Sequence, residues 1–213
     1  MNKKIKIVLV DDHAVVRAGV KRLLEQEDLF EVTGEAESGE KAYQLFGELN
    51  PDVMVMDLSM PGMGGLEAIR RILMRYEKAK ILVLSMHEDL SFANQALKLG
   101  AKGYLIKNTL GDDLVKSIQA ISKGEVFLSD EIAKKIAMQS IDGDQAPIDS
   151  LSAREFEIFR LLAEGIEIEA IATRLNISSK TVSNYQTIIK QKLNINTPLE
   201  LIRYAIKAGV IKN

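Results

Sequence analysis

Four short hydrophobic runs in this 213-residue chain each end in a side chain able to do chemistry. Ile5 to Val10 ends in the carboxylate pair Asp11-Asp12, and Val53-Met54-Val55-Met56 ends in Asp57. Ile81 to Leu84 ends in the hydroxyl of Ser85, and Tyr104 to Ile106 ends in the amine of Lys107. Three acids, a hydroxyl and a cation suit a divalent metal and a transferable phosphoryl group. Clustered carboxylates repel one another, and burial raises that cost, so a positive charge must offset it. Oxygen donors with a few carboxylates suit Mg²⁺, which keeps several of its waters. Asp57, central among the run ends, is then the best nucleophile, able to attack a phosphoryl donor and give an aspartyl phosphate. Mg²⁺ and Lys107 would stabilise the charge on the transferring oxygens. Ser85 or Lys107 alone would be an ordinary polar residue closing a strand; the joint occurrence at four run ends carries the reading.

The elements that must position these groups alternate. Strand patterns at Ile5–Val10, Glu31–Ala36, Val53–Met56, Ile81–Leu84 and Gly103–Ile106 are separated by helix patterns near 14–26, 39–48, 65–75, 90–98 and 111–122. Five βα units predict a parallel sheet covered by helices on both faces. Four strands are apolar at nearly every position, as strands buried on both sides are. Glu31–Ala36 is more mixed and is expected at an edge. Ser38 and Asp112 are plausible helix starts. Ligands of such sheets sit beyond the carboxyl ends of the strands, where the strand order reverses. With the order 2-1-3-4-5, strands one, three and four adjoin there, so Asp12 and Asp57 converge with Ser85 and Lys107 on the far side.

After Gly124 the alternation stops. Ser129 to Gln139 reads as one helix, and Ser140 to Pro147, polar with Gly and Pro, reads as a flexible linker. From Leu151 onward only helix patterns appear, at about 152–163, 168–175, 179–193 and 197–208. The expected division is therefore 1–124, a linker with one helix at 125–147, and an all-α unit at 148–213. Residues 1–147 hold 19 basic and 23 acidic residues, a net of −4, and residues 148–213 hold 9 and 7, a net of +2. That asymmetry points weakly to an anionic partner for the second part. The absence of cysteine excludes disulfides and thiolate metal sites and fits a reducing cytoplasm. No apolar run approaches the roughly 20 residues of a membrane helix, and the start is not that of a signal peptide. His13 and His87 belong to no ligand pattern and read as packing or loop residues, with His87 near the pocket mouth. Met54, Met56, Met60 and Met63 read as packing.

Residues 1–122 resemble the receiver domain of bacterial two-component response regulators. The matching pieces are Val10-Asp11-Asp12-His13, Asp57-Leu58-Ser59-Met60-Pro61-Gly62-Met63-Gly64-Gly65, Leu84-Ser85 and Lys102-Gly103-Tyr104-Leu105-Ile106-Lys107. The resemblance implies a doubly wound, flavodoxin-like α/β fold with a five-stranded parallel sheet in the order 2-1-3-4-5. It implies that Asp57 is the phosphoacceptor and that Asp12, Asp57 and the main-chain carbonyl of Ser59 ligate Mg²⁺, with Asp11 acting through water. Ser85 and Lys107 would bind the phosphoryl oxygens, and Tyr104 would be the aromatic switch that turns inward when Ser85 moves.

Residues 179–193 carry a second signal. Val182, Tyr185, Ile189 and Leu193 recur at helical spacing with Ile188 beside them, and are expected to face the core. The opposite face then shows Lys180, Ser183, Asn184, Thr187 and Lys190, a row of hydrogen-bonding side chains flanked by cations. Such a face fits a major groove, where amides and hydroxyls read base edges and lysines bind phosphates. The turn Asn176-Ile177-Ser178-Ser179 after the helix at 168–175 is that of a helix-turn-helix. Leu151-Ser152-Ala153-Arg154-Glu155, Leu161-Leu162-Ala163-Glu164-Gly165 and Ile171 to Val182 resemble the LuxR-type helix-turn-helix, so nearly the whole chain resembles the NarL/FixJ class of response regulators. The resemblance implies base reading from Ser183, Asn184 and Thr187, and the expected DNA contacts are Lys180, Thr181, Ser183, Asn184, Thr187 and Lys190. The family usually has Lys or Arg at position 183 and His at position 185. Tyr185 is similar to the GacA/UvrY-like subgroup, but Gln186 and Ile188-Ile189 depart from it. Glu167 and Glu169 make the segment before the second helix more acidic than usual, and are expected to face away from DNA.

The expected protein is a cytoplasmic transcription regulator, not an enzyme. A sensor histidine kinase would phosphorylate Asp57, and the phosphorylated homodimer would place two recognition helices on double-stranded DNA. The changed charge at Asp57 would alter pairing with the second copy or release the DNA-binding domain, with Phe92, Leu97 and Leu99 on or beneath the changing face. A haloacid-dehalogenase-type phosphohydrolase would need a second acid two residues after Asp57, where this chain has Ser59. A regulator acting through protein partners alone is the other rival.

Overall fold

The computed structural model describes residues 3–86, 90–109, 111–142 and 147–211. Strands β1 (Ile5–Val10), β2 (Phe30–Ala36), β3 (Val53–Met56), β4 (Ile81–Ser85) and β5 (Gly103–Ile106) alternate with helices α1 (Ala14–Glu25), α2 (Gly39–Leu49), α3 (Gly65–Arg75), α4 (Leu90–Leu99) and α5 (Asp112–Ser122). All strand pairs are parallel, and the expected order 2-1-3-4-5 is present. A two-residue sixth strand, β6 (Phe127–Leu128), extends it beside β5, with Gly103 opposite Phe127. Glu31–Ala36 lies at an edge, as its mixed pattern predicts. β3 and β4 are buried at every position, so both faces of the sheet carry packed side chains. One face packs Ile7, Leu9, Val55 and Leu84 against α1 and α5, and the other packs Val8, Met54, Met56 and Val83 against α2, α3 and α4.

The one helix expected between the two units is present. Helix α6 (Asp130–Asp142) follows β6, and Pro147–Ser150 forms a 3₁₀ turn. The helix runs through Ser140, Ile141 and Asp142, so only the remainder of the expected flexible segment is left; Gly143 to Ala146 lie outside the described residues, as does His87. Four helices follow: α7 (Ala153–Ala163), α8 (Ile168–Leu175), α9 (Ser179–Leu193) and α10 (Pro198–Lys207). Their ends are set by local chemistry. Ser152 with Glu155 and Thr197 with Glu200 form capping boxes, and Pro198 occupies the first turn of α10. Asn176 ends α8 at φ 52°, and Ser178 accepts from Thr181 N at 3.1 Å to start α9.

The two units pack together along α4 and the loop after β3. Ser91 Oγ donates to Ala208 O at 2.6 Å, Gln95 Nε2 to Ile148 O at 3.2 Å and Lys98 Nζ to Asp149 O at 2.6 Å. These residues recur at helical spacing on one face of α4. Phe92, expected beneath a changing face, meets Phe156 of α7 edge-on with ring centroids 5.0 Å apart. No helix among the described residues is long and apolar enough to cross a membrane.

Candidate metal centre and nucleic-acid interface

Each acid of the pocket is the residue that follows a buried strand. Asp11 N donates to Ala36 O at 3.0 Å and Asp57 N to Val10 O at 2.9 Å, so both extend their ladders by one step before the chain leaves the sheet. Val10 lies opposite Met56, which sets Asp11 and Asp57 at the same level. The chain then turns sharply under α3. A Cβ on Gly65 would stand 2.1 Å from Asp57 O, so only glycine lets the first turn of α3 approach the acid this closely.

Lys107 Nζ lies 2.7 Å from Asp11 Oδ2 and 3.2 Å from Asp57 Oδ1. Asp57 Oδ1 also accepts from Leu58 N at 2.8 Å, and Asp11 Oδ1 from His13 N at 2.8 Å. Asp57 is 3% exposed, and burial pushes its carboxyl up from the ordinary range; Lys107 opposes that shift and the charge of Asp11 adds to it. A cation beside Asp57 would therefore relieve a real cost. Ser85 is fully buried at the end of β4, beside Ile106 in register and one residue from Lys107. Ser59 is half-buried in the loop after Asp57. Tyr104 is fully buried, in the inward position, within the core cluster that also holds Met56, Phe92 and Ile132 of α6.

His13, read from the sequence as a packing or loop residue, joins the acids. One ligand atom each from Asp11, Asp12, His13 and Asp57 lies within 4.8 Å of the others. His13 Nδ1 stands 2.8 Å from Asp12 Oδ1, an ion pair when the imidazole is protonated. Asp12 Oδ1 is buried and has no hydrogen-bond donor among the described residues unless His13 Nδ1 carries a proton. A buried carboxylate oxygen whose donor depends on imidazole protonation is suited to a cation or an ordered water. Among the described residues the carboxylates of Asp11, Asp12 and Asp57 gather where Lys107 brings one ammonium, so the carboxylate oxygens fit a divalent ion with hard oxygen preference. The one sequence signal for His13 was its place directly after the acid pair.

On α9, Val182 and Ile189 are fully buried and Leu193 is 5% exposed, while Tyr185 is partly covered and packs against the core. Ile188 departs from expectation: it is 38% exposed and does not face the core. Two consecutive helical residues point about 100° apart, and on α9 the narrow buried stripe of Val182, Ile189 and Leu193 leaves Ile188 outside it. Lys180, Asn184 and Thr187 are exposed, whereas Thr181, Ser183 and Lys190 are half-buried at the flanks. Glu169 lines an open depression with Asn176, Ser178 and Ser179 at the α8–α9 turn.

Comparison with known proteins matches residues 7–119 to the response regulator receiver domain family and residues 149–205 to the luxR family of bacterial regulatory proteins. The chain is 35% identical to the transcriptional regulatory protein DegU of Brevibacillus brevis, over 98% of this chain and 96% of that protein. It is 37% identical to the response regulator UvrY of Escherichia coli K12, over 97% of this chain and 95% of that protein. Among solved structures it is similar to RcsB of Salmonella enterica serovar Typhimurium bound to the promoter P1flhDC in the presence of phosphomimetic BeF₃⁻. That likeness has a TM-score of 0.72 and 30% identity, and covers 95% of this chain and 98% of that one.

Proposed function

The chain belongs to the response regulators that join a receiver domain to a LuxR-type helix-turn-helix, and from that membership we propose that Asp57 is its phosphoacceptor. The protein is a transcription factor and not an enzyme: phosphorylation from a histidine kinase controls DNA binding, and its partners are that kinase, duplex DNA and a second copy of itself. The observation that carries the assignment of Asp57 is the placement of Lys107 between Asp11 and Asp57 at the carboxyl edge of the sheet. An ammonium held there neutralises charge on a phosphoryl group arriving at Asp57. Asp57 forms the bond to phosphorus as the donor's bond breaks, and Ser85 holds an oxygen of the bound group.

The resident metal is Mg²⁺ on this reading, held by Asp12, Asp57 and the main-chain carbonyl of Ser59, with Asp11 acting through water. When bound, it supplies the positive charge that three acids need. The gathering of Asp11, Asp12 and Asp57 carboxylate oxygens, with His13 beside them, supports it. Residues 1–124 form the receiver, 125–147 the connecting segment and 148–213 the DNA-binding domain. The protein works in the cytoplasm, where its kinase's catalytic half and its DNA are both found. Lys180, Thr181, Ser183, Asn184, Thr187 and Lys190 contact DNA.

The route from Asp57 to the second domain is short. The loop after Asp57 reaches it directly, with Gly62 N donating to Arg174 O at 2.9 Å. A group of about −2 charge on Asp57 disturbs that loop, and with it the packing of α7 and α8 on the receiver. Incubation with acetyl phosphate and Mg²⁺ tests the assignment. The wild-type chain gains an acid-stable, hydroxylamine-sensitive phosphoryl group, and Asp57→Ala gains none. Labelling retained in Asp57→Ala would move the acceptor elsewhere.

A further inference from the structure

The outward face of α9 holds Lys180, Asn184 and Thr187 of the expected DNA contacts and adds two residues outside that set, Ile188 and Gln191. Counting about 100° per residue from Asn184, the side chains of Gln191, Ile188, Lys180, Thr187 and Thr181 fall within about 60° of it, and of these Thr181 is half-buried. Ser183 and Lys190 fall about 100° or more away, which agrees with their half-buried state. Two of the expected hydroxyls have also committed their protons to the helix itself. Ser183 Oγ donates to Ser179 O at 3.0 Å, and Thr187 Oγ1 donates to Ser183 O at 3.1 Å. They are left as acceptors only. Thr181 Oγ1 lies 2.8 Å from Ser178 Oγ in the cap of α9.

That leaves a stripe of Asn184, Ile188 and Gln191, one helical turn apart in succession, as the exposed centre of the face. A single exposed aliphatic residue on a protein surface is ordinary. This one lies between two amides, on the helix that enters the groove, while Val182 and Ile189 on the same helix are completely buried. An amide at Asn184 is suited to the adenine edge, and an aliphatic group beside it is suited to the thymine 5-methyl in the major groove.

We propose that Ile188 is a specificity-determining residue that reads the 5-methyl group of a thymine next to the base contacted by Asn184. This rests on the DNA-binding function stated above and goes beyond it by naming the base feature read. The Ile188 side chain covers the methyl and removes it from water, while Asn184 and Gln191 hold hydrogen-bonding edges on either side. Ser183 and Thr187 can accept from exocyclic amines but cannot donate without giving up their helix contacts.

The test begins with selection of duplexes from a random-sequence pool by the full-length phosphorylated protein. Each thymine of the enriched site is then replaced singly by deoxyuridine, which removes only the methyl group. Wild-type protein is expected to lose about fourfold in affinity at one position, the equivalent of about 0.8 kcal/mol for one buried methyl-sized group. Ile188→Ala is expected to bind the thymine and deoxyuridine duplexes equally at that position, and Ile188→Val to keep part of the preference. The inference is overturned if no deoxyuridine substitution weakens the wild type, or if Ile188→Ala keeps the wild-type ratio at every position. A pool in which no sequence is enriched overturns the DNA-binding function itself, and the inference with it.

Discussion

Adding one methyl group at Gly64 is expected to loosen the seam between the two domains without disturbing either one. Gly64 has φ −60° and ψ 166°, a conformation open to alanine, so the substitution brings no backbone strain of its own. A Cβ there would stand 2.2 Å from Oε1 of Glu157, closer than such atoms approach. Glu157 belongs to α7, so the clash exists only while α7 rests on the receiver. Its carboxylate is held at 2.8 Å by Arg154 Nη1 and its side chain is 11% exposed. Burial pushes the Glu157 carboxyl up from its usual range, against the pull of Arg154, so the group is already held at some cost. Relief requires Glu157 to leave this site or the domains to part. Because Oε1 is the far end of a flexible side chain, the cost is at most about 1–3 kcal/mol, and the balance of packed and parted forms shifts by at most about 5- to 150-fold.

On the reading that packing restrains DNA binding, the apparent Kd of the unphosphorylated Gly64→Ala protein falls by the same factor, up to the affinity of the phosphorylated wild type. Fluorescence anisotropy on the selected duplex measures it. Thermal unfolding of the isolated receiver fragment serves as the control for local damage. In a Glu157→Ala background the obstacle is gone, and adding Gly64→Ala should change affinity by less than about 0.5 kcal/mol. Unaltered affinity in Gly64→Ala, or an undiminished effect in the Glu157→Ala background, would refute the reasoning.

Two further outcomes are expected. Glu155 is 6% exposed; burial works against its charge, but Lys192 Nζ at 2.6 Å and the capping contact with Ser152 outweigh that and lower its pKa. A lowered folded-state value stabilises the fold above the ordinary glutamate range and loses that stability as pH falls through it. Glu155→Gln, which can keep the reciprocal cap but loses the charge paired with Lys192, a loss of about 1 kcal/mol, should lower Tm by about 2–4 °C at pH 7, and the gap should close as pH falls below 4.5, the unperturbed glutamate value, and through the lowered folded value; a constant gap across that range would remove the carboxylate from the account. Asn184→Ala should cost about 1–3 kcal/mol on the selected duplex and relax choice at one base pair, as read by competition with single-base variants; an equal loss on every sequence would make Asn184 a phosphate contact.

The pocket was legible in the sequence because it depends on short-range pattern. A run of buried residues defines a strand, and the residue that follows it must emerge at the carboxyl edge of the sheet, where Asp11, Asp57, Ser85 and Lys107 all stand. The capping residues Ser152, Ser178 and Thr197 act within three positions of their own hydrogen-bond partners, so helix starts were equally local. Helical spacing likewise marked Val182, Ile189 and Leu193 as the core face of α9.

Tertiary structure decided what local spacing leaves open. β6 is two residues long, too short for any alternation, and exists because β5 offers it an edge. His13 carries no ligand spacing, and its imidazole meets Asp12 only through the path the chain takes from β1 into α1. Ile188 and Ile189 are alike in composition, and only the phase of α9 against α7 and α8 buries one and exposes the other. The contact of Gly64 with Glu157 joins residues 93 positions apart in the sequence, which no periodicity encodes. Local hydrogen bonding and side-chain period determine elements from neighbouring residues, whereas the faces those elements present to one another follow from burying apolar surface across the whole chain.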